Sequence, residues 1–264
     1  MKRVNENLKL TKNQMELCDE PVLVVTENNQ YYKITDGEET AIVPKYIVFR
    51  GLVFKVLFSD ELEDGYNYKF GLLDGKITFN TRMRSIRLFQ STLIESIVCV
   101  LYTSLDLAKV PESLARQLFR PLSMTLGKLL EENHVAFKYN YNKFRDMLFE
   151  IPDSIRVLGT EYEIVGCDNL GCDADDSILG LYVNQFCERK CIYIASTCEE
   201  VELSESAKCV TFIHELFHAI LFETGNSMYE KNANREEVIV DYFAYSICEL
   251  LRSNDLELVF GYTK

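Results

Sequence analysis

Three side chains within five residues carry the chemistry this sequence could do. His214, Glu215 and His218 stand in the order H-E-x-x-H. On a helix, positions i and i+4 lie one turn apart on the same face, so both imidazoles can reach one ion. Glu215 follows the first of them directly, which places its carboxylate beside a water on that ion. Metal-assisted hydrolysis needs two neutral nitrogen donors, a base and an open coordination position, and zinc is the ion this donor set suits. The chain has only three histidines and two are here. On so apolar a helix, two imidazoles without a ligand would be costly.

A tetrahedral site needs a third protein ligand, and no histidine follows His218. The acids Glu236, Glu237 and Asp241 lie downstream, opening a second apolar helix expected to run from Asn234 to about Leu251. Glu237 and Asp241 are i and i+4 on it. Glu237 is the expected third metal ligand. Asp241, one turn on, is the expected acceptor for the outer N–H of a ligating histidine. Glu236 competes for the ligand position. All three also suit a helix's first turn, where acids complement the dipole.

The elements that must hold these groups are legible. Ile213, Leu216, Phe217, Ile220 and Leu221 recur at helical spacing, with no Gly or Pro before Gly225. Ser204 is the expected N-cap, and Gly225-Asn226 a stop signal. With the later stretch EEVIVDYFA, the stretch HELFHAILFETG resembles the ImmA/IrrE-like zinc metallopeptidases of bacteria and their phages. The preceding strand-like segments SIRVLGTEYEIVGCD, ILGLYVNQ and KCIYIAS resemble those of the phage-encoded members, and the likeness runs from about Asp153 to Asn254. The resemblance implies a gluzincin-type enzyme with a later E-x-x-x-D. It also implies a specific protein partner, since some relatives cleave transcription repressors; a transcriptional regulator is therefore among the expected substrates.

Composition bounds the partners. Net charge is −13 over 264 residues, which argues against a nonspecific nucleic-acid face. Apolar residues make up 47%, ample for a core. The nine cysteines are an odd number, and the start MKRVNENLKL has no apolar stretch of a secretion signal. Apolar runs such as Ile97–Tyr102 are too short to span a bilayer. The expectation is a soluble, reduced, cytoplasmic protein. Cys167, Cys172, Cys187 and Cys191 are too irregularly spaced for a thiolate zinc site and read as ordinary cysteines. The acidic loop Asp168–Asp176 lacks the terminal glutamate of a calcium loop and reads as solvated. His134 reads as a surface or interface residue.

A pattern beginning at Lys45 recurs later in the chain. YIVFRGLVFKVLFSDELEDG reads like SIRVLGTEYEIVGCDNLG, with Gly51 matching Gly159. Further on, Gly71 is matched with Gly180, Ile77 with Ile192, Ile94 with Ile213 and Leu129 with Leu250. Two copies of one fold would produce this. His214, Glu215, His218 and Glu237 then fall on Glu95, Ser96, Cys99 and Arg116, so the first copy would be inactive.

The expected organisation is an N-terminal extension with a hairpin (1–44), a degenerate metallopeptidase-like domain (45–131), a linker with a helix from about Asn142 to Phe149 (132–152), and a zinc metallopeptidase domain (153–264). The expected fold class is α+β, with a zincin-like domain of a small sheet packed on the H-E-x-x-H helix and closed by the glutamate helix. The expected function is a zinc-dependent endopeptidase acting on a protein or peptide. Glu215 is its base, and Tyr182, Tyr229 or Arg235 its oxyanion donor. The alternative is a non-catalytic interaction protein that keeps zinc for structure; a retained Glu215 argues against it.

Overall fold

The structure, a computed structural model, describes residues 24–27, 31–37, 39–50, 52–62, 66–71, 74–83, 85–103, 122, 125–129, 132–139, 148–168, 170, 172–173, 176–177, 179–183, 190–198, 201–227 and 229–261. The chain is α+β. The described residues begin with an antiparallel meander of β1 (Val24–Glu27), β2 (Tyr31–Asp36) and β3 (Glu39–Pro44). The meander packs on the neighbouring sheet through Tyr32, whose ring stands edge-on to Phe58 and whose hydroxyl donates to the Val56 carbonyl at 3.2 Å. No linker separates the two: one residue, Lys45, lies between β3 and β4 (Tyr46–Phe49).

This first sheet continues with β5 (Leu52–Ser59), β6 (Tyr68–Gly71) and β7 (Lys76–Asn80), in spatial order β4-β5-β7-β6. The helix α1 (Ile86–Thr103) comes after it, and helical residues recur at 125–129. After β8 (Ala136–Tyr139), the second sheet uses β9 (Ser154–Val157) and β10 (Thr160–Asp168). Then come the small hairpin strands β11 (Cys172–Asp173) and β12 (Asp176–Ser177), in the acidic loop. The second sheet resumes with β13 (Gly180–Val183), β14 (Lys190–Cys198) and β15 (Val201–Glu202). Its order is β9-β10-β14-β13, with β15 paired to β14. Two helices, α2 (Glu205–Glu223) and α3 (Tyr229–Ser253), lead to the last strand, β16 (Leu256–Val259).

The two sheets are wound alike. In each, a hairpin with a two-residue loop opens the sheet: Phe49 pairs Leu52, and Val157 pairs Thr160. The loop residues Arg50, Leu158 and Gly159 all have positive φ, as a tight hairpin of this twist requires. In each, the second strand then runs parallel to the third, with Val56 opposite Ile77 and Ile164 opposite Ile192. A shorter strand closes each sheet antiparallel. Here the register corrects the sequence match. Tyr68 pairs Phe79 while Gly180 pairs Ile194, so the counterpart of Gly180 is Tyr68 and not Gly71.

Strands β8 and β16 pair antiparallel with Phe137 opposite Leu258. These two are 121 residues apart (258−137), the separation of Leu129 and Leu250, so equivalent positions meet as they would across a two-fold axis. The flanking asparagines obey the same relation. Asn133 accepts from Arg156 N–H and donates to the Arg156 carbonyl, both at 2.6 Å. Asn254 does the same to Val48, at 2.8 and 3.0 Å. Each asparagine also donates to the carbonyl four residues back, at 2.8 Å. Each half thus ends a helix with an amide that grips the opening hairpin of the other.

The region 132–152 is therefore not a plain linker, because β8 lies within it. Most of the helix expected at 142–149 falls outside the described residues. Its last two residues are not helical, and Phe149 instead bridges to Leu258 and packs edge-on against Phe212 and at a steep tilt against Phe260. One continuous core runs through both halves, from Phe54, Ile77 and Phe89 to Phe212, Phe217 and Phe243. Each such buried side chain contributes about 1.5–3 kcal/mol.

Candidate metal centre

The helix α2 is built as its sequence reads. Ser204 caps it by accepting from Ala207 N–H at 3.2 Å. Gly225, at φ +68°, ends it, with Asn226 N–H returning to the Leu221 carbonyl. Its apolar residues face the second sheet and α3, leaving His214, Glu215 and His218 on one side. The helix α3 is broken at Asn232 (φ −164°, ψ 78°), whose side chain accepts from Arg235 N–H at 3.1 Å. The part of α3 that carries Glu236 and Glu237 therefore begins with an Asn cap. Glu236 and Glu237 sit at its positively polarised end.

Three groups converge between these helices. His214 Nε2 and His218 Nε2 are 3.1 Å apart. Glu237 Oε2 lies 3.2 Å from the first and Oε1 3.3 Å from the second. His214, His218 and Glu237 could hold a metal ion, and they are the one such group among the described residues. The spacing fits a small tetrahedral ion: with bonds of about 2.0–2.1 Å, donor atoms stand about 3.3 Å apart.

Both histidines are oriented from behind. His214 Nδ1 meets Asp241 Oδ1 at 2.9 Å, and His218 Nδ1 meets Glu236 Oε1 at 2.8 Å. With those N–H groups donating to carboxylates, both Nε2 lone pairs turn inward. Glu236, expected as a competing ligand, thus serves as the acceptor behind His218. It is 1% exposed, and Ser227 donates to its other oxygen at 2.9 Å. The sequence does hold a signal for this role: two ligating histidines need two outer acceptors, and Asp241 can serve only one.

The charges are strongly coupled. Burial pulls the His218 imidazole down, but hydrogen bonds to Glu236 and Glu237 outweigh it and hold the group up at about 9. Burial likewise pulls His214 down, and Glu237 and Glu215 more than offset it. Hydrogen bonds from His214 and then His218 hold Glu237 down at about 2. Without an ion, the carboxylates draw protons onto the imidazoles; an ion would take their place.

Glu215 lies beside this cluster on its sheet side, against β13. Its Oε1 is 4.0 Å from His214 Nε2, and its carboxylate accepts from the Tyr182 backbone N–H. Burial pushes it above the usual carboxylate range, with the two imidazoles pulling against that.

The expected oxyanion donors fare differently. The Tyr182 hydroxyl lies 3.3 Å from the Tyr162 hydroxyl and its ring packs on Phe222, so it is engaged under the sheet and away from the ion's position. Arg235 is two residues before Glu237, on the opposite side of α3. The side chains of Tyr229, Cys99, Cys172 and Cys187, and the whole of Arg116, lie outside the described residues. His134 is an exposed turn residue with positive φ. Among the described residues, no helix is long and apolar enough to cross a membrane. No protein-family model, curated protein or solved structure matches the chain.

Proposed function

We propose that the protein is a zinc-dependent endopeptidase whose second half is zincin-like, of the ImmA/IrrE type that its motifs resemble. The observation that carries the reading is the convergence of three donors at ligand spacing with a buried fourth group, Glu215, beside them. A structural site has no use for that carboxylate. Zinc, when bound, would supply a Lewis acid and acidify a water.

The chain's own groups account for the rest. Asp241 and Glu236 keep both Nε2 atoms turned to the ion. Glu215 accepts a proton from the attacking water and returns it to the leaving amine, a task suited by a carboxyl that burial has made more basic. The substrate strand would lie along β13, the edge of the sheet. The Leu179 carbonyl accepts from Ala195 N–H, so the next residue, Gly180, turns its backbone N–H and C=O to the open edge, while the Tyr182 N–H further along is taken by Glu215. The first half, with Glu95 and Ser96 at the positions of His214 and Glu215, would be a degenerate copy that serves as scaffold. Free cysteines suit a cytoplasmic site of action.

The test is Glu215→Gln in the zinc-loaded full-length chain, assayed on denatured casein and a peptide library read by mass spectrometry. We expect zinc to stay at one per chain and hydrolysis to fall about 10²–10⁴-fold. An unchanged rate would remove Glu215 from the mechanism.

A further inference from the structure

Gly180 has no conformational reason to be glycine, since its φ lies outside the left-handed region. It has a spatial one. A Cβ there would stand 2.5 Å from Glu215 Oε1, 2.7 Å from Glu215 Cγ and 2.6 Å from Thr211 Cγ2. The missing side chain opens a slot against β13, and the Glu215 side chain fills it. Two residues on along the same strand, the Tyr182 N–H donates to that carboxylate.

The first half shows which neighbour demands the glycine. By register, Tyr68 stands where Gly180 does. The helices α1 and α2 start at an offset of 119 (205−86), which puts Thr92 at Thr211 and Ser96 at Glu215. Buried positions agree: Thr92, Leu93, Ile94, Ser96, Ile97 and Val98 match Thr211, Phe212, Ile213, Glu215, Leu216 and Phe217. A threonine therefore coexists with a large side chain on the strand. What differs is the third group: Ser96, fully buried and donating to the Leu93 carbonyl, takes the place of a glutamate. Large on the strand and small on the helix in one half becomes the reverse in the other.

We propose that Gly180 is the positioning residue of the base: its empty side chain makes the slot that seats the Glu215 carboxylate, and the adjacent Tyr182 amide sets its direction. The positioning role rests on Glu215 being the base of the proposed endopeptidase; the seating does not.

The experiment is a double-mutant cycle in the full-length chain: wild type, Gly180→Ala, Glu215→Ala and the pair. Thermal unfolding with chelator present needs no activity. Gly180→Ala is expected to lower the midpoint by several degrees when Glu215 is present and by less than about one degree when Ala is there. If Gly180→Ala does not fold, recovery of folding in the double mutant supports the slot. Equal losses in both backgrounds, or no recovery, would overturn it. The second readout is zinc-loaded casein hydrolysis. Gly180→Ala should lose at least tenfold in kcat, with zinc content unchanged and KM within about threefold; a full rate overturns the positioning role. If wild type itself does not hydrolyse casein, the endopeptidase reading has failed on this probe, and the unfolding cycle still decides the slot.

Discussion

The two halves of this chain share a frame and differ in what the frame holds. Under each sheet, equivalent positions carry a pair of aromatic rings: Phe54 with Phe70 at 5.4 Å, and Tyr162 with Tyr182 at 5.7 Å. The first pair is purely apolar. The second adds hydroxyls, and the Tyr162 hydroxyl donates to Glu223 at the end of α2, where Lys190 also binds at 2.6 Å. That network ties down the end of the helix that carries His214 and His218. The outer faces differ in the same sense: Tyr46 and Val53 are exposed where the second half has Ser154 and Glu161. Apolar packing suffices to keep a fold. A metal centre also needs polar groups held at fixed angles, and those concentrate in the second half.

The largest effect should come from the groups the halves do not share. The double substitution His214→Ala, His218→Ala should take zinc from one per chain to none after dialysis, by elemental analysis. Glu95→Ala, at the position of His214 in the first half, should change nothing. Stoichiometric zinc in the double variant would locate the ion elsewhere.

The next comparison is between the two acids behind the histidines. Glu236→Gln should weaken zinc binding by about 10–100-fold, measured against a chelator of known affinity. Asp241→Asn should cost less, because Asp241 is 55% exposed and Glu236 is 2% exposed at the side chain. The reverse order would mean that burial does not set the strength of these contacts.

The reciprocal asparagines give a smaller effect. Asn254 is 7% exposed, so Asn254→Ala leaves the half-buried Val48 backbone groups without this partner and should cost about 1–3 kcal/mol in urea unfolding. Asn133 is less buried, and its loss should cost about 1 kcal/mol. Because Asn254 ends α3, its alanine variant should also loosen zinc; the Asn133 variant should not.

The smallest effect is in pH. In the metal-free chain, His218 is held at about 9, above its ordinary 6.5. Its contribution to stability is therefore full below pH 6.5 and lost as pH rises through about 9. Glu237 is held at about 2, below its ordinary 4.5, so its contribution is full above 4.5 and lost as pH falls through about 2. The metal-free protein should lose stability between pH 7 and 9 in thermal scans. Zinc should abolish that loss, since it replaces the protons.

Local rules make much of this readable from the sequence. The i, i+4 spacing of His214 and His218, the Ser204 cap and the Gly225 stop depend only on residues within a turn or two, and the structure has them so. The pairing of Glu237 with the histidines is also legible, because a ligand set has a fixed chemistry and few candidates supply it. Three features are not legible. The partner of Gly180 is settled by strand register, and sliding a match by three residues costs nothing in sequence similarity while it changes which side chain meets the helix. The division of labour between Glu236 and Asp241 comes from the rotation of α3 against α2, set by core contacts such as Phe217 on Phe243 at 5.1 Å. The asparagine clamps join residues 206 and 23 positions apart. Sequence determined the donors and the helices that bear them, because those are short-range properties. Which groups face one another across the halves was decided only when one shared core brought distant segments into register.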